Sequence, residues 1–352
     1  MQITLIDEND YRHEMETKVL PALEACRDEG WFEPPEPKGL GPAPTSGRLH
    51  YVCYDAARFD AIKVAGADAT FRGAIVISHG FTEFAAKYAE MVWYFLLAGY
   101  SVCVLEHRGH GRSVRDLDDK SLVWIDDWRR YVSDLAAFAG TIGQQYAGGS
   151  PLNLYAHSMG GGIGAAVLEQ YPTLFDRAVL SAPMIAPATG MPNGVARVLA
   201  EGMCAFGLSR HVVFGQGPFD PNNLDMSEHR GASEARVRWF HHLRCEDEHR
   251  QTNAATFEWV RQALRLSHAV SRPEACANVE TPILLFQADH DIWVLNQPQD
   301  RFASLVRDGG CEVELVRVPD SLHELFSMPN AVLGPYLDRI LDFFDDPVTA
   351  AL

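Results

Sequence analysis

This sequence is short of basic charge. Its 352 residues carry 30 Lys and Arg against 47 Asp and Glu, a formal net charge of -17. Phosphate backbones and strongly anionic bilayers are recognised through clustered Lys and Arg, so this balance argues against a nucleic-acid partner. A disulfide framework is missing too. The seven cysteines (Cys26, Cys53, Cys103, Cys204, Cys245, Cys276, Cys311) are odd in number and scattered without CxxC spacing, which points to buried thiols. No apolar run comfortably spans a bilayer: the longest, 91–105, is interrupted by Gly99, Tyr100 and Ser101 and reads as a helix end, a turn and a strand. Met1 to Asp10 lacks a basic stretch followed by an apolar one, so no secretory signal is visible and a cytoplasmic address is expected. No internal repeat or low-complexity tract occurs.

What is present is an ordinary globular composition, 47% hydrophobic and 22% charged, in a length that suits one sheet domain with an insertion. Over 11–29, Met15, Val19, Leu20 and Leu23 recur at helical spacing, with Gly30 as the stop, and a proline-rich linker follows from Pro34 to Pro44. Residues 1–47 are thus expected to be an N-terminal helix and linker. From Arg48 onward short apolar runs alternate with helical patterns, the signature of βαβ units and a mostly parallel central sheet flanked by helices. Runs 74–78, 102–105, 152–155 and 178–180 are apolar on both faces, as buried strands are, and 283–286 and 313–318 resume the pattern. Between Pro183 and Pro273 there is no strand pattern, only helical stretches near 195–206, 233–249 and 254–270. The expected organisation is an α/β core of 48–182 and 274–352 with a helical cap of 183–273.

The chemistry concentrates where the strand 152–155 runs through Ala156-His157-Ser158-Met159 into Gly160-Gly161-Gly162. A serine on a sharp turn between strand and helix is a nucleophile elbow, and the small residues leave room for strand and helix to meet. Taken alone, the glycines could equally serve close helix packing or a phosphate-binding turn. The rest of the chain decides. A serine becomes nucleophilic when a histidine takes its proton and an acid orients that histidine, in the chain order Ser, acid, His. The loop after 283–286 offers Asp289 and Asp291, and the loop after 313–318 offers His323. Ser158, Asp291 and His323 are therefore the candidate triad. The oxyanion donors expected for such a site are the N–H of Met159, after the nucleophile, and that of Phe81, where Ser78-His79-Gly80-Phe81 leaves the first strong strand.

Other motifs carry less. Gly109 and Gly111 permit a tight turn that Arg108 or Arg112 would pin through carbonyls or an acid such as Glu83, a scaffold role. His241, Cys245 and His249 share a helical spacing that could present metal ligands, but no fourth ligand is evident, and a solvated face is the simpler account. Met184, Ile185, Phe206, Trp239 and Phe240 could line an acyl tunnel or form the cap's own core.

Together these pieces resemble the lysophospholipase and monoacylglycerol lipase branch of the α/β-hydrolases. The likeness covers about Arg48 to Phe344 and rests on Ser78-His79-Gly80-Phe81-Thr82-Glu83 with Lys87-Tyr88, Glu106-His107-Arg108-Gly109-His110-Gly111-Arg112-Ser113, His157-Ser158-Met159-Gly160-Gly161 and His323-Glu324. Bacterial lysophospholipases are the nearer likeness, through Gln287-Ala288, Trp293-Val294 and the N-terminal Gly30-Trp31-Phe32. The resemblance implies an acid three residues before a valine, a register that Asp291 and Val294 satisfy, while Asp289 occupies the place of a turn glycine. Ala156 stands where the family has the first glycine of GxSxG. The resemblance further implies a monoacyl lipid ester as substrate, transient contact with a membrane surface, and acyl transfer without metal or organic cofactor. The rivals are a short-chain carboxylesterase, a carbon–carbon bond hydrolase, and an inactive binding protein on the same fold.

Overall fold

The computed structural model describes residues 3–346. Ten strands appear in chain order: β1 (Arg27–Phe32), β2 (Leu49–Tyr54), β3 (Gly73–Ser78), β4 (Tyr100–Leu105), β5 (Leu122–Val123), β6 (Leu152–His157), β7 (Arg177–Ser181), β8 (Ala254–Ala255), β9 (Ile283–Ala288) and β10 (Val313–Val318). Eight of them form one sheet in the order β1-β2-β4-β3-β6-β7-β9-β10. The β1–β2 and β2–β4 pairs are antiparallel and the remainder parallel. Central strands are apolar on both sides because both sides are covered: Ile75 and Ile77 of β3 belong to one buried cluster, Ala74 and Val76 to the other. The strand pattern implied this mostly parallel sheet, and the resemblance implied its α/β-hydrolase arrangement.

The helices that matter for the site are α1 (Ala89–Leu97), α2 (Arg129–Phe138), α3 (Met159–Gln170), α4 (Asn193–Ala205), α5 (Glu234–Glu246), α6 (Phe257–Ala269), α7 (Asn296–Asp308) and α8 (Asn330–Asp345). Between β7 and β9 the chain holds α4, α5 and α6, close to the stretches read from the sequence. One strand does occur there: β8 pairs in parallel with β5, two residues each, too short to leave a pattern. Trp259 and Leu266 of α6 belong to the same buried cluster as Met159 and Ile163 of α3.

The N-terminal helical stretch ends at Cys26 instead of running to Glu29. Residues 27–32 form the edge strand β1, and Gly30 pairs with Tyr51. A Cβ at Gly30 would stand 2.4 Å from the Tyr51 hydroxyl, so this glycine gives way to a ring on the neighbouring strand and does not stop a helix.

Tyr11, on that N-terminal stretch, is fastened to the core through a buried carboxylate. Glu90 of α1 accepts from the Tyr11 and Tyr94 hydroxyls at 2.8 and 2.6 Å, and Arg236 of α5 grips it with two N–H bonds of 2.8 and 2.7 Å. The arginine also donates to the Met328 carbonyl and to Asn330. Removing one charge of such a buried pair leaves the other uncompensated, at a cost of about 3–5 kcal/mol. Glu90→Gln is accordingly expected to lower unfolding free energy by about that amount in a denaturant titration. A loss below about 1 kcal/mol would mean that this junction contributes little to stability.

Candidate active site

Four loops at the carboxyl ends of β3, β6, β9 and β10 converge, as ligand-binding loops do in open parallel sheets. The loop after β6 is a single residue. Ser158 has φ 53° and ψ -119°, a left-handed conformation that side chains avoid, and it leads straight into α3. Close approach makes this possible: a Cβ at Gly160 would lie 2.1 Å from the Ser78 carbonyl oxygen, so only glycine lets α3 start against the end of β3. The alanine at 156 is accommodated by a glycine on the helix: a Cβ at Gly164 would stand 3.2 Å from the Ala156 Cβ.

Ser158 Oγ lies 2.7 Å from His323 Nε2, and His323 Nδ1 lies 2.7 Å from Asp291 Oδ2. Asp291 Oδ1 accepts the backbone N–H groups of Trp293 and Val294 at 2.9 and 3.0 Å. Burial works against its ionisation, but the hydrogen bond and charge of His323 and these two N–H groups hold its carboxyl below the usual carboxylate range. An ionised Asp291 can only accept. Nδ1 of His323 therefore carries the proton, and Nε2 is left to accept from the serine hydroxyl. Asp289 sits apart: its side chain is 54% exposed, and it accepts a long bond from the Asp320 N–H.

Met159 is the first residue of α3, so its N–H has no partner inside the helix. Phe81 lies in the turn after β3, and among the described residues neither N–H is given to another backbone acceptor. That turn is braced by Glu83, whose carboxylate accepts the Gly80 N–H at 2.5 Å. Behind it, His79 donates from Nδ1 to the Gly80 carbonyl and accepts the His107 N–H on Nε2 at 2.9 Å, a neutral imidazole locked in one tautomer. The carbonyls of the neighbouring glycine turn are held by Arg115, which donates to Gly109 at 2.7 Å and to Gly111 at 3.0 Å, and not by Arg108, whose acid is Asp134 of α2, at 2.6 Å, instead of Glu83. Arg112 pairs with Asp247.

The apolar residues singled out from the sequence are dispersed. Met184 joins Met159, Trp259 and Leu266 around a cleft beside the elbow. Ile185 is wholly buried in the core, and Phe206 is 86% exposed. Trp239 packs edge-on against Tyr11, and Phe240 stacks on Phe84. Trp259 tilts against Phe81 at 4.1 Å between ring centres, a contact the sequence does not signal because its helix reads as an ordinary amphipathic one. His241, Cys245 and His249 do not converge: α5 ends at Glu246, and His249 turns to Asp247 in the following 3-10 turn. Among the described residues the potential metal ligands that do come together are Asp289, His290 and Asp320, all exposed on the surface.

The family model described as serine aminopeptidase, S33 matches residues 69–330. Lysophospholipase L2 of Escherichia coli (strain K12) is 31% identical over 282 residues, covering 77% of this chain and 80% of that protein. The monoacylglycerol lipase of Mycolicibacterium smegmatis is 34% identical over 139 residues, covering 37% of this chain and 45% of that one. Among solved structures, a carboxyl esterase from Bacillus coagulans superposes with a TM-score of 0.69 at 15% identity, covering 92% of this chain and 99% of that chain, a likeness of fold. The strained elbow, the hydrogen-bonded relay and these matches lead to one assignment: the chain belongs to the serine aminopeptidase S33 family of α/β-hydrolases.

Proposed function

We propose that this protein hydrolyses the carboxylic ester of a monoacyl lipid, a lysophospholipid before a monoacylglycerol, through an acyl-enzyme on Ser158. The observation that carries the reading is the unbroken relay from Ser158 through His323 to Asp291, two bonds of 2.7 Å on a strained turn. His323 takes the serine proton as Oγ attacks the ester carbonyl. The Phe81 and Met159 N–H groups receive the oxyanion, and Asp291 keeps the imidazole in its working tautomer. The imidazolium then protonates the departing alcohol, and water, activated by the same histidine, releases the fatty acid. Every step uses side chains and backbone of this chain, so no metal or organic cofactor enters.

The preference for a lysophospholipid rests on the match to a lysophospholipase along most of both chains, against the shorter match to a monoacylglycerol lipase. Contact with a lipid surface is part of the reading. Val195, Val198 and Leu199 of α4, with Met191 before it and Phe206 after it, are exposed, as are Ile292 and Trp293 beside the acid. The acid loop is stitched to the start of this segment, with the Ala188 N–H donating to the Trp293 carbonyl at 2.8 Å. No described helix is long and apolar enough to cross a membrane. A second reading, a short-chain carboxylesterase, is favoured by one feature: the cleft between Met159, Met184 and Trp259 is narrow, with about 10 Å³ of free space. Hydrolysis of lysophosphatidylcholine, monoacylglycerol and p-nitrophenyl acetate, run side by side, separates them. The lysophospholipid should give the highest kcat/KM, and Val198→Asp should weaken turnover on lipid vesicles while leaving the acetate rate unchanged. Acetate as the best substrate would select the second reading.

The relay makes two further predictions. Asp291→Asn keeps the shape but favours the wrong imidazole tautomer, which in the serine-protease template lowers turnover about ten-thousand-fold. Asp289→Asn, on the exposed side of the loop, should cost less than about tenfold. Steady-state kinetics of the two folded variants check this, and the reverse ranking would make Asp289 the acid.

The second concerns pH. Only neutral imidazole accepts the serine proton, so kcat/KM should fall toward acid pH through a single ionisation. Asp291 adds no second step in that range, because its carboxyl is held below the usual values. His157, pulled down to about 4 by burial against the pull of Glu83, stays neutral as well. A limb with a slope of two, or a profile flat from about pH 5 to 9, would contradict this.

A further inference from the structure

One buried lysine has no part in the chemistry above. Lys87 follows β3 on the short helical turn that leads into α1, and its side chain is 3% exposed. Its ammonium lies 2.8 Å from Glu83 Oε1 and 2.5 Å from Glu324 Oε1. The ring of Phe240, from α5, stands 3.9 Å from the same nitrogen, and that of Phe326 stands 5.4 Å away. Burial disfavours the charged ammonium, but the two carboxylates more than offset that and hold its pKa above the ordinary lysine value.

The two carboxylates belong to different loops. Glu83 closes the turn that presents the Phe81 N–H: it accepts from the Gly80 N–H and from the Tyr88 hydroxyl, both at 2.5 Å, and Thr82 between them has φ 65°. Glu324 directly follows His323, and its other oxygen accepts from the Ser327 hydroxyl at 2.9 Å. His157, the residue before the nucleophile, lies between: its Nε2 is 3.8 Å from Glu83, and its ring is 4.8 Å from that of His323. One ammonium thus touches the loop of the oxyanion donor and the loop of the base.

We propose that Lys87 is a positioning residue, whose ammonium, clasped by Glu83 and Glu324, holds the oxyanion turn and the His323 loop in register across Ser158. The inference rests on the Ser158 reading. A buried ion pair alone is weak support for stability, because apolar groups of the same shape do as well. What apolar groups cannot supply is a directional tie to two separate loops. The donor and the base must meet one tetrahedral centre together, and a displacement of about 1 Å there costs on the order of a hundredfold in rate. The tie acts on the transition state, so its loss should appear in kcat and not in KM.

The experiment measures kcat and KM on a soluble p-nitrophenyl ester for Lys87→Met, Lys87→Arg and Glu324→Gln. A control of lowered stability is Leu341→Ala, which opens a cavity on α8 beneath the sheet. Lys87→Met should lower kcat by about thirtyfold with KM within about twofold, and Lys87→Arg, which can still span two carboxylates, should recover to within about fivefold of wild type. Leu341→Ala should lower Tm and leave kcat within about twofold. Should Lys87→Met not fold, Glu324→Gln decides, because its side chain is 35% exposed and keeps its shape: about a tenfold loss in kcat at constant KM is expected. Wild-type kcat in whichever variant folds, or an equal loss in Leu341→Ala, overturns the inference. Turnover by Ser158→Ala would instead remove the reading beneath it, whatever the lysine variants do.

Discussion

β6 must end and α3 begin across one residue, and that turn is the constraint on which the rest of the site depends. Holding a non-glycine residue at φ 53° costs of order 1–3 kcal/mol, so the surroundings must over-determine it. They do so from both sides. The Ser158 N–H donates to the Ser181 carbonyl at 3.1 Å, and its own carbonyl accepts from Met184 at 2.8 Å, both on the chain that leaves β7. On the other side Gly160 lies against the carbonyls of Ser78 and His79 at the end of β3. The same packing lifts the serine hydroxyl toward His323 and leaves the Met159 N–H free at the start of a helix. The proposed nucleophile and the proposed oxyanion donor both follow from one backbone geometry.

Around that turn the protein has taken charge and polarity into its interior selectively. The surface carries the excess of acid, yet beneath the site lie three neutral histidines, His79, His107 and His110, all pulled down by burial. They keep the region behind the oxyanion turn polar and uncharged. Ionised groups enter in closed sets: Arg108 with Asp134, Arg236 with Glu90, Lys87 with Glu83 and Glu324. Each set ties loops or helices that are distant in sequence, which gives buried charge a use that apolar packing lacks.

Much of this was legible in the sequence, for physical reasons. β3, β4, β6, β7 and β9 are covered on both faces and so read as continuous apolar runs, and the elbow reads as a serine among small residues. Ser158, Asp291 and His323 follow strand ends in the order the chemistry demands. β1 was hidden because only the last two of its six residues, Trp31 and Phe32, are apolar, too few to show a period, and a helix was expected to run through its first half. β5 and β8 are two residues long and leave no period. The partners of buried charges were hidden for another reason: the sequence shows that Arg108, Lys87 and Glu324 are present, but Asp134 lies 26 residues from Arg108, and Glu324 lies 237 residues from Lys87. Likewise the aromatic residues between β7 and β9 could be counted, but which of them faces the elbow depends on the helix packing. Trp259 does, and Phe206 and Trp239 do not.

If Ser158, alone among the serines, is activated by the relay, a fluorophosphonate should find it in the native protein, as proteolysis and mass mapping of the adduct would show. One phosphonyl group per chain is expected, on Ser158, formed at the rate at which hydrolytic activity is lost. A protein that remains unlabelled while it hydrolyses esters, or an adduct on any other residue, would contradict this.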